Sequence, residues 1–459
     1  MIRTTLISHA CLLIQTSDLT IMTDPVFFDP LWEEVNVLCP QRSIDFDKFP
    51  KVDLLYISHR HQDHFDVRTL AFLKNASILK DDFILVAPND PILLEVLKEL
   101  EYPEPRVSED FESFRVKGAV LTPTPSLIQA NFPEHGLLVH DGETTIWNEV
   151  DTIVSPEIIQ YLKQMYPKVD LVHSRFLPLL EGNFSFHQAV ELPFDEYSSF
   201  IKVVDAIAPR FVVPGSAGFK YKEEFAFLNQ QSFPTTQEQF LGDLKTFSPQ
   251  IESSTFFPGD VVEVTPEKVE VLPQASDFIK TTDNDSVDIE FKPVSKVEPI
   301  AFIQNGKSPE EEWQQAEDFI LNQMPGLLEK SEMVEAWKSW KIVYQLELFG
   351  PNESKIWTLD FGGEVKFNSG RMDKINLYEG IGLSEFNQFI RGETSWDFAG
   401  VAAQYRTFHN IYRVEQGRFE MFPQKNKFPQ PLAQLFPDGP EMDRQKFMKD
   451  VRRWKGWKP

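Results

Sequence analysis

Six residues, His59-Arg60-His61-Gln62-Asp63-His64, constrain this chain more than any other stretch. They follow Val52-Asp53-Leu54-Leu55-Tyr56-Ile57, an apolar and partly β-branched run that reads as a buried strand. The chain therefore drops from a strand end straight into four potential metal ligands. His59 and His61 alternate, so in a tight extended turn both imidazoles can meet one ion. Asp63 and His64 are adjacent and can turn toward a second ion beside it. Imidazole suits zinc and iron alike, and a carboxylate adds a harder oxygen donor with negative charge. Three of the nine histidines in the chain fall in this block, and strand context and spacing set it apart from a polar loop.

The pattern around the block predicts alternating strands and helices. Thr5 to Ile14 and Leu19 to Thr23 read as strands around a polar turn, with His9 in the first and Asp24, before Pro25, ending the second. A lone His on a strand is usually a packed or surface residue, and Asp24 reads as a turn cap. Phe27 to Phe49 reads as an irregular loop passing near the site. Helices are expected at Val67–Lys74, Pro91–Leu100, Pro156–Met165 and Asp195–Ile207, and strands at Ile84–Ala87, Ala119–Pro123, Val169–Val172 and Phe211–Pro214. Asp141-Gly142 marks a hairpin between Gly136–His140 and Thr144–Trp147. The small residues Gly215-Ser216-Ala217-Gly218 let the backbone turn closely past a pocket. Two mixed sheets with helices outside them, an α/β class, follow from this order.

At 459 residues the chain is long enough for more than one domain. Periodicity fades from Gln274 to about Pro299, so residues 1–273 are read as one domain, 274–300 as a linker and 301–459 as a smaller α+β domain. In the last, Lys341–Leu348, Ile356–Asp360 and Glu364–Phe367 read as strands and Leu383–Arg391 as a helix. The basic, aromatic tail Arg444–Lys458 reads as a solvated terminal helix. A net charge of −25 argues against nucleic-acid or anionic-membrane partners. Cys11 and Cys39 alone supply no disulfide framework or iron–sulfur ligand set. The N-terminus lacks a basic region followed by an unbroken apolar run, and no stretch approaches membrane-spanning length, so a cytoplasmic protein is expected.

The block matches the HxHxDH signature of the metallo-β-lactamase superfamily, and Met22-Thr23-Asp24-Pro25 resembles that superfamily's strand-ending TDP. His9 resembles a histidine common in its hydrolase branches. The resemblance covers roughly residues 1–270 and implies an αββα sandwich with a metal site at one edge between the sheets. A narrower likeness, to CMP-N-acetylneuraminate hydroxylases, is carried by Tyr56–His64, by Ile146-Trp147-Asn148-Glu149-Val150-Asp151 and by Ala208-Pro209-Arg210 through Gly218-Phe219. Past residue 300 the likeness continues at Arg371-Met372-Asp373 and Gly392–Trp396, and that part also loosely resembles a sterol-carrier-type domain. The animal hydroxylases carry a Rieske iron–sulfur domain that this chain does not, so the resemblance implies electrons from a separate Rieske or ferredoxin-type protein.

Measured against the superfamily, two imidazoles are missing. The loop after Ala119–Pro123 offers Ser126 where a His is expected, and Pro214-Gly215-Ser216-Ala217 stands where the last His would be. Asp151 remains as the second-site or bridging carboxylate, while Glu134 and His135 are candidate replacements. Glu149 reads as a supporting or surface group, and Arg210 as a weak phosphate candidate or an ordinary ion pair.

Three functions follow. An iron-dependent oxygenase or hydroxylase would use His59, His61, Asp63, His64, Asp151 and Glu134 as ligands for one or two irons, because carboxylate enrichment with fewer histidines suits iron. Asp63 and Asp151 are its candidate catalytic groups, and its substrate is a small molecule. A zinc hydrolase of esters, amides or phosphodiesters would use the metal to activate water that Asp63 orients. A metal- or ligand-binding protein without turnover is the third reading.

Overall fold

The computed structural model describes residues 1–127, 132–186, 192–283, 285–289, 291, 300–304, 307–415, 418–422, 429–437 and 439–457. The chain divides into two compact units. The first comprises residues 1–179, 191–293 and 447–459, and the second residues 180–190 and 294–446.

Two sheets dominate the first unit. One has eight strands, in the order Val269–Leu272, Val261–Val264, Ile2–Ser8, Cys11–Gln15, Thr20–Thr23, Val52–Tyr56, Leu79–Pro88 and Arg106–Ser108. The other has seven, running Glu252–Ser253, Phe211–Gly215, Leu171–Arg175, Thr145–Asn148, His135–His140, Ala119–Pro125 and Phe114–Val116. Side chains alternate with period two, and each face finds a different core. Leu54 and Tyr56 join Leu121, Leu137, Val139 and Val213 between the sheets. Leu55 and Ile57 point the other way, against helices Val67–Asn75 and Pro91–Glu99. On the far side Leu138, Trp147, Val172 and Val212 are covered by helices Pro156–Met165, Phe194–Ile207 and Gln237–Phe247. This is an αββα sandwich. The Tyr56 hydroxyl donates to the Gly136 carbonyl at 3.0 Å and ties one sheet to the other.

The strands that carry the site run parallel: Thr20–Thr23 beside Val52–Tyr56 in one sheet, and Thr145–Asn148 beside Leu171–Arg175 and Phe211–Gly215 in the other. Their carboxyl ends therefore lie at one edge, the usual place for a site in parallel sheets.

Three expectations change. Phe27–Phe49 is partly ordered into strands: Asn36–Leu38 pairs with Phe219–Tyr221, and Gln41–Ile44 pairs with Ile279–Asp283. The tail is not merely solvated. Helix Pro440–Trp454 carries Phe447 and Val451, and both are buried in the first unit's core, with Phe447 edge-on to Phe65. Arg68 lies over the Trp454 ring, so aromatic burial rather than charge fixes this segment.

In the second unit a five-stranded sheet runs Asn368–Ser369, Ser354–Asp360, Val343–Phe349, Leu377–Gly382 and Tyr405–His409. Helix Pro309–Asp318 begins in a capping box between Ser308 and Glu311, and helix Leu383–Arg391 ends at the left-handed Gly392. Glu364–Phe367 is no strand. Its Val365 and Phe367 are held by burial after the Gly362-Gly363 turn, and pairing resumes only at Asn368. Among the described residues no helix is long and apolar enough to cross a membrane.

Candidate metal centre

The block after Val52–Tyr56 folds back on the sandwich edge because Asp24 anchors it. Asp24 is buried at the end of the neighbouring strand. Its carboxylate accepts the Ser58 N–H at 2.8 Å and the Ser58 hydroxyl at 2.7 Å, and it contacts His64 Nδ1 at 3.2 Å. Ser58 Oγ in turn lies 2.8 Å from His59 Nδ1. The hydroxyl proton goes to Asp24, so His59 Nδ1–H donates to Ser58, and His64 Nδ1–H donates to Asp24. With Nδ1 so held, each ring in its neutral form carries its lone pair on Nε2, turned toward the centre, the arrangement that orients a metal-binding imidazole.

Two groups of donor atoms result. His59, His61 and Asp151 place theirs within 4.8 Å of one another, and so do His9, Asp63 and His64. His59 Nε2 faces His61 Nδ1 at 2.9 Å, and His64 Nε2 stands 3.2 Å from Asp151 Oδ2, which links the groups. Phe132 lies parallel to His59 and edge-on to His61, while Trp32 stacks on His61. The rings are thus walled by apolar surface.

The field at the centre favours a cation. Burial opposes charge on His64, yet Asp151 and Asp63 outweigh it and raise the ring well above its usual value. His59, buried among other imidazoles, is pushed well below. Asp151 is lowered well below the carboxylate range: burial opposes ionisation, but His64 and His59 overcome it.

His9 plays a different part from the other histidines. The Gly218 N–H donates to its Nδ1 at 3.1 Å, so the neutral ring carries its proton on Nε2. That proton faces Asp63 Oδ2 at 3.2 Å and His64 Nε2 at 3.2 Å. His9 therefore holds Asp63 by hydrogen bonding and has no lone pair to offer while Gly218 is bound. Gly218 admits this approach because a Cβ there would lie 2.6 Å from the His9 backbone.

The two candidate replacements part company. Glu134 lies near the centre but outside both donor groups: burial and the nearby Asp151 charge push it up to about 7, and its Oε1 is buried with no hydrogen-bond partner among the described residues. His135 is turned away, bound through Nδ1 to Ser108 at 3.0 Å and through Nε2 to Asp110 at 2.8 Å, so it supplies no donor. Ser126, in the place of the missing imidazole, takes the Ile153 N–H on its hydroxyl. Glu149 is buried rather than on the surface, and burial pushes it up to about 7. Arg210 pairs with Asp170 at 2.7 Å and with the Thr265 carbonyl, so it is structural.

His173 has no spacing signal to mark it. Its Nδ1 is fixed by Asn148 Oδ1 at 2.8 Å, and its buried Nε2 has no hydrogen-bond partner among the described residues. The ring fills the space above Gly215, where a Cβ would fall 2.2 Å from Nε2. Only the glycine at 215 hinted at it. Backbone strain also gathers here: His9, Asp24, Val150 and Ser216 take φ of 36°, 38°, 54° and 58°, in the left-handed region.

Comparison with known proteins agrees with this fold. Residues 3–149 match the model of the beta-lactamase superfamily domain. A Mycobacterium tuberculosis protein named as a Rieske 2Fe-2S iron-sulfur protein is 31% identical over 156 residues, 32% of this chain and 29% of its own length. The cytidine monophosphate-N-acetylneuraminic acid hydroxylase of Asterias rubens is 37% identical over 73 residues, 16% of this chain and 11% of its own. The matches thus span under a third of these relatives. Among solved structures, CmlA, a diiron beta-hydroxylase from Streptomyces venezuelae, aligns at TM-score 0.36 and 18% identity over 47% of this chain and 45% of its own. Residues 3–149, which resemble the beta-lactamase superfamily domain, lie within the αββα sandwich and carry its histidine block.

Proposed function

We propose that this chain is an iron-dependent oxygenase or hydroxylase, holding one or two irons with His59, His61, Asp63, His64, Asp151 and Glu134. Electrons would reach it from a separate Rieske- or ferredoxin-type protein. One observation carries the reading: Asp63 and Asp151 stand among the imidazoles of His9, His59, His61 and His64 with the Glu134 carboxyl near Asp151 and His64, and Glu134 Oε1 and Asp63 Oδ1 are both buried without hydrogen-bond partners among the described residues. A buried oxygen left so costs about 1–3 kcal/mol, which a bound cation would offset. Hard oxygen donors favour iron over zinc.

When bound, iron supplies the activation of dioxygen. The chain's own residues set the stage. Asp24 and Ser58 aim His59 and His64, and His9 keeps Asp63 in place. Phe132 and Trp32 keep water from the imidazoles. The short match to a hydroxylase and the longer one to Rieske proteins support oxidation and an electron donor of that class.

The test is metal analysis of protein made in iron-supplemented medium, with optical spectra taken after anaerobic reduction and again in air. One or two irons per chain and a spectrum that responds to dioxygen are expected. Zinc alone, spectroscopically silent, would replace this reading with hydrolysis, and iron inert to dioxygen would replace it with a binding protein.

A further inference from the structure

Beside the centre lies a cavity of about 190 Å³ with His9 in its wall. Phe176, Phe233, Phe256 and Phe257 line it, with the Pro214–Gly218 turn on another side. An apolar cavity of about 150 Å³ holds one benzene molecule, so this one has room for a single ring and a short arm. Aromatic walls favour an aromatic guest through edge-to-face contact.

One buried polar group in the lining is uncommitted among the described residues. Ser216 Oγ is buried and has no hydrogen-bond partner among the described residues. Its backbone is held at φ 58°, a conformation that glycine would adopt without strain. A buried hydroxyl at a strained position in a cavity wall is a feature expected of a binding site.

We infer that this cavity is the substrate site, and that it takes a single-ring aromatic group bearing one hydroxyl or carbonyl, which Ser216 Oγ engages. This rests on the metal-enzyme reading above. The Phe side chains enclose the ring and Ser216 fixes its polar arm, while His9, which lines the cavity and contacts Asp63 and His64, is the one residue that joins it to the centre among the described residues. A hydroxyl donates or accepts, so either polar arm is served.

Benzyl alcohol and toluene are the probes, titrated calorimetrically into the full-length protein. Ser216→Gly removes the hydroxyl and relaxes the backbone. It should weaken benzyl alcohol roughly fivefold, the worth of one net hydrogen bond, and leave toluene unchanged. Leu177→Trp, which fills the cavity, should abolish binding of both. In protein loaded with manganese, the ring protons of bound benzyl alcohol should broaden, and with zinc they should stay sharp. Equal losses for both probes in S216G, unaltered binding in L177W, or binding without manganese broadening would each overturn the inference. Binding is read whichever metal the protein carries, so failure of the oxygenase reading shows separately, in the metal analysis and the dioxygen response.

Discussion

Gly218 and His9 are joined by a contact that no other residue pair could make: the glycine N–H donates to Nδ1 at 3.1 Å, and a Cβ would meet the His9 Cα at 2.6 Å. Gly218→Ala should push the His9 backbone aside. Overpacking of this kind costs about 1–3 kcal/mol, seen as a lower denaturation midpoint. Asp63 loses its support, so metal at Asp63 and His64 should weaken more than metal at His59 and His61. Metal content measured against rising chelator would show that order, and an unchanged order would refute the role given to His9.

Asp24 is buried beside the centre, and three hydrogen bonds converge on it. Asp24→Asn keeps the shape but turns an amide toward groups that donate. Loss of such a supporting carboxylate lowers metal affinity by roughly 10–100-fold. Competition with a chelator measures this, and wild-type affinity in D24N would rule out the relay through Ser58 and His64.

The second unit offers a pH prediction away from the metal. Burial pushes Glu385 up to about 8 from an ordinary 4.5, against a lowering bond from Thr394. The folded state thus holds its proton where the unfolded state has lost it. Stability from this group is full below about 4.5 and drains as pH rises toward 8, by at most about 1.4 kcal/mol per unit. Urea melts between pH 5 and 8 should show the decline, and Glu385→Gln should flatten it. Glu379, raised to about 7 by burial, leaves a residual slope.

Phe447→Ala tests the tail. The ring is buried against Phe65, so its loss should cost about 3–5 kcal/mol in the first unit's unfolding. A neutral substitution would return the tail to a solvated role.

Much of the sandwich was readable in advance, because period-two alternation and the Asp141-Gly142 hairpin are local signals. So was the grouping of His59 with His61, fixed by two-residue spacing. His9 was not: its partners lie some 55 and 209 residues away, and a single His on a strand carries no spacing. Glu134 and His135 looked alike as neighbours. Tethers from Ser108, at the end of the other sheet's edge strand, and from Asp110 just beyond it draw His135 off. Asp24 read as a turn cap because its real donors, Ser58 and His64, come from another strand end. The tail misled because Phe447 and Val451 find their core across nearly the whole sequence.

The left-handed residues at His9, Asp24, Val150 and Ser216 have an evolutionary consequence. Each costs of order 1–3 kcal/mol, and each stands where a chain leaves a strand to enter the centre. A glycine at any of them would relax the backbone, yet at Asp24 it would strip the acceptor from Ser58 and His64, and at His9 and Val150 it would empty buried space. The strain cannot be removed without losing what these side chains support. Their persistence in this sequence marks the places where durability has been traded for aim, and a thermostabilised variant should be sought elsewhere on the sandwich.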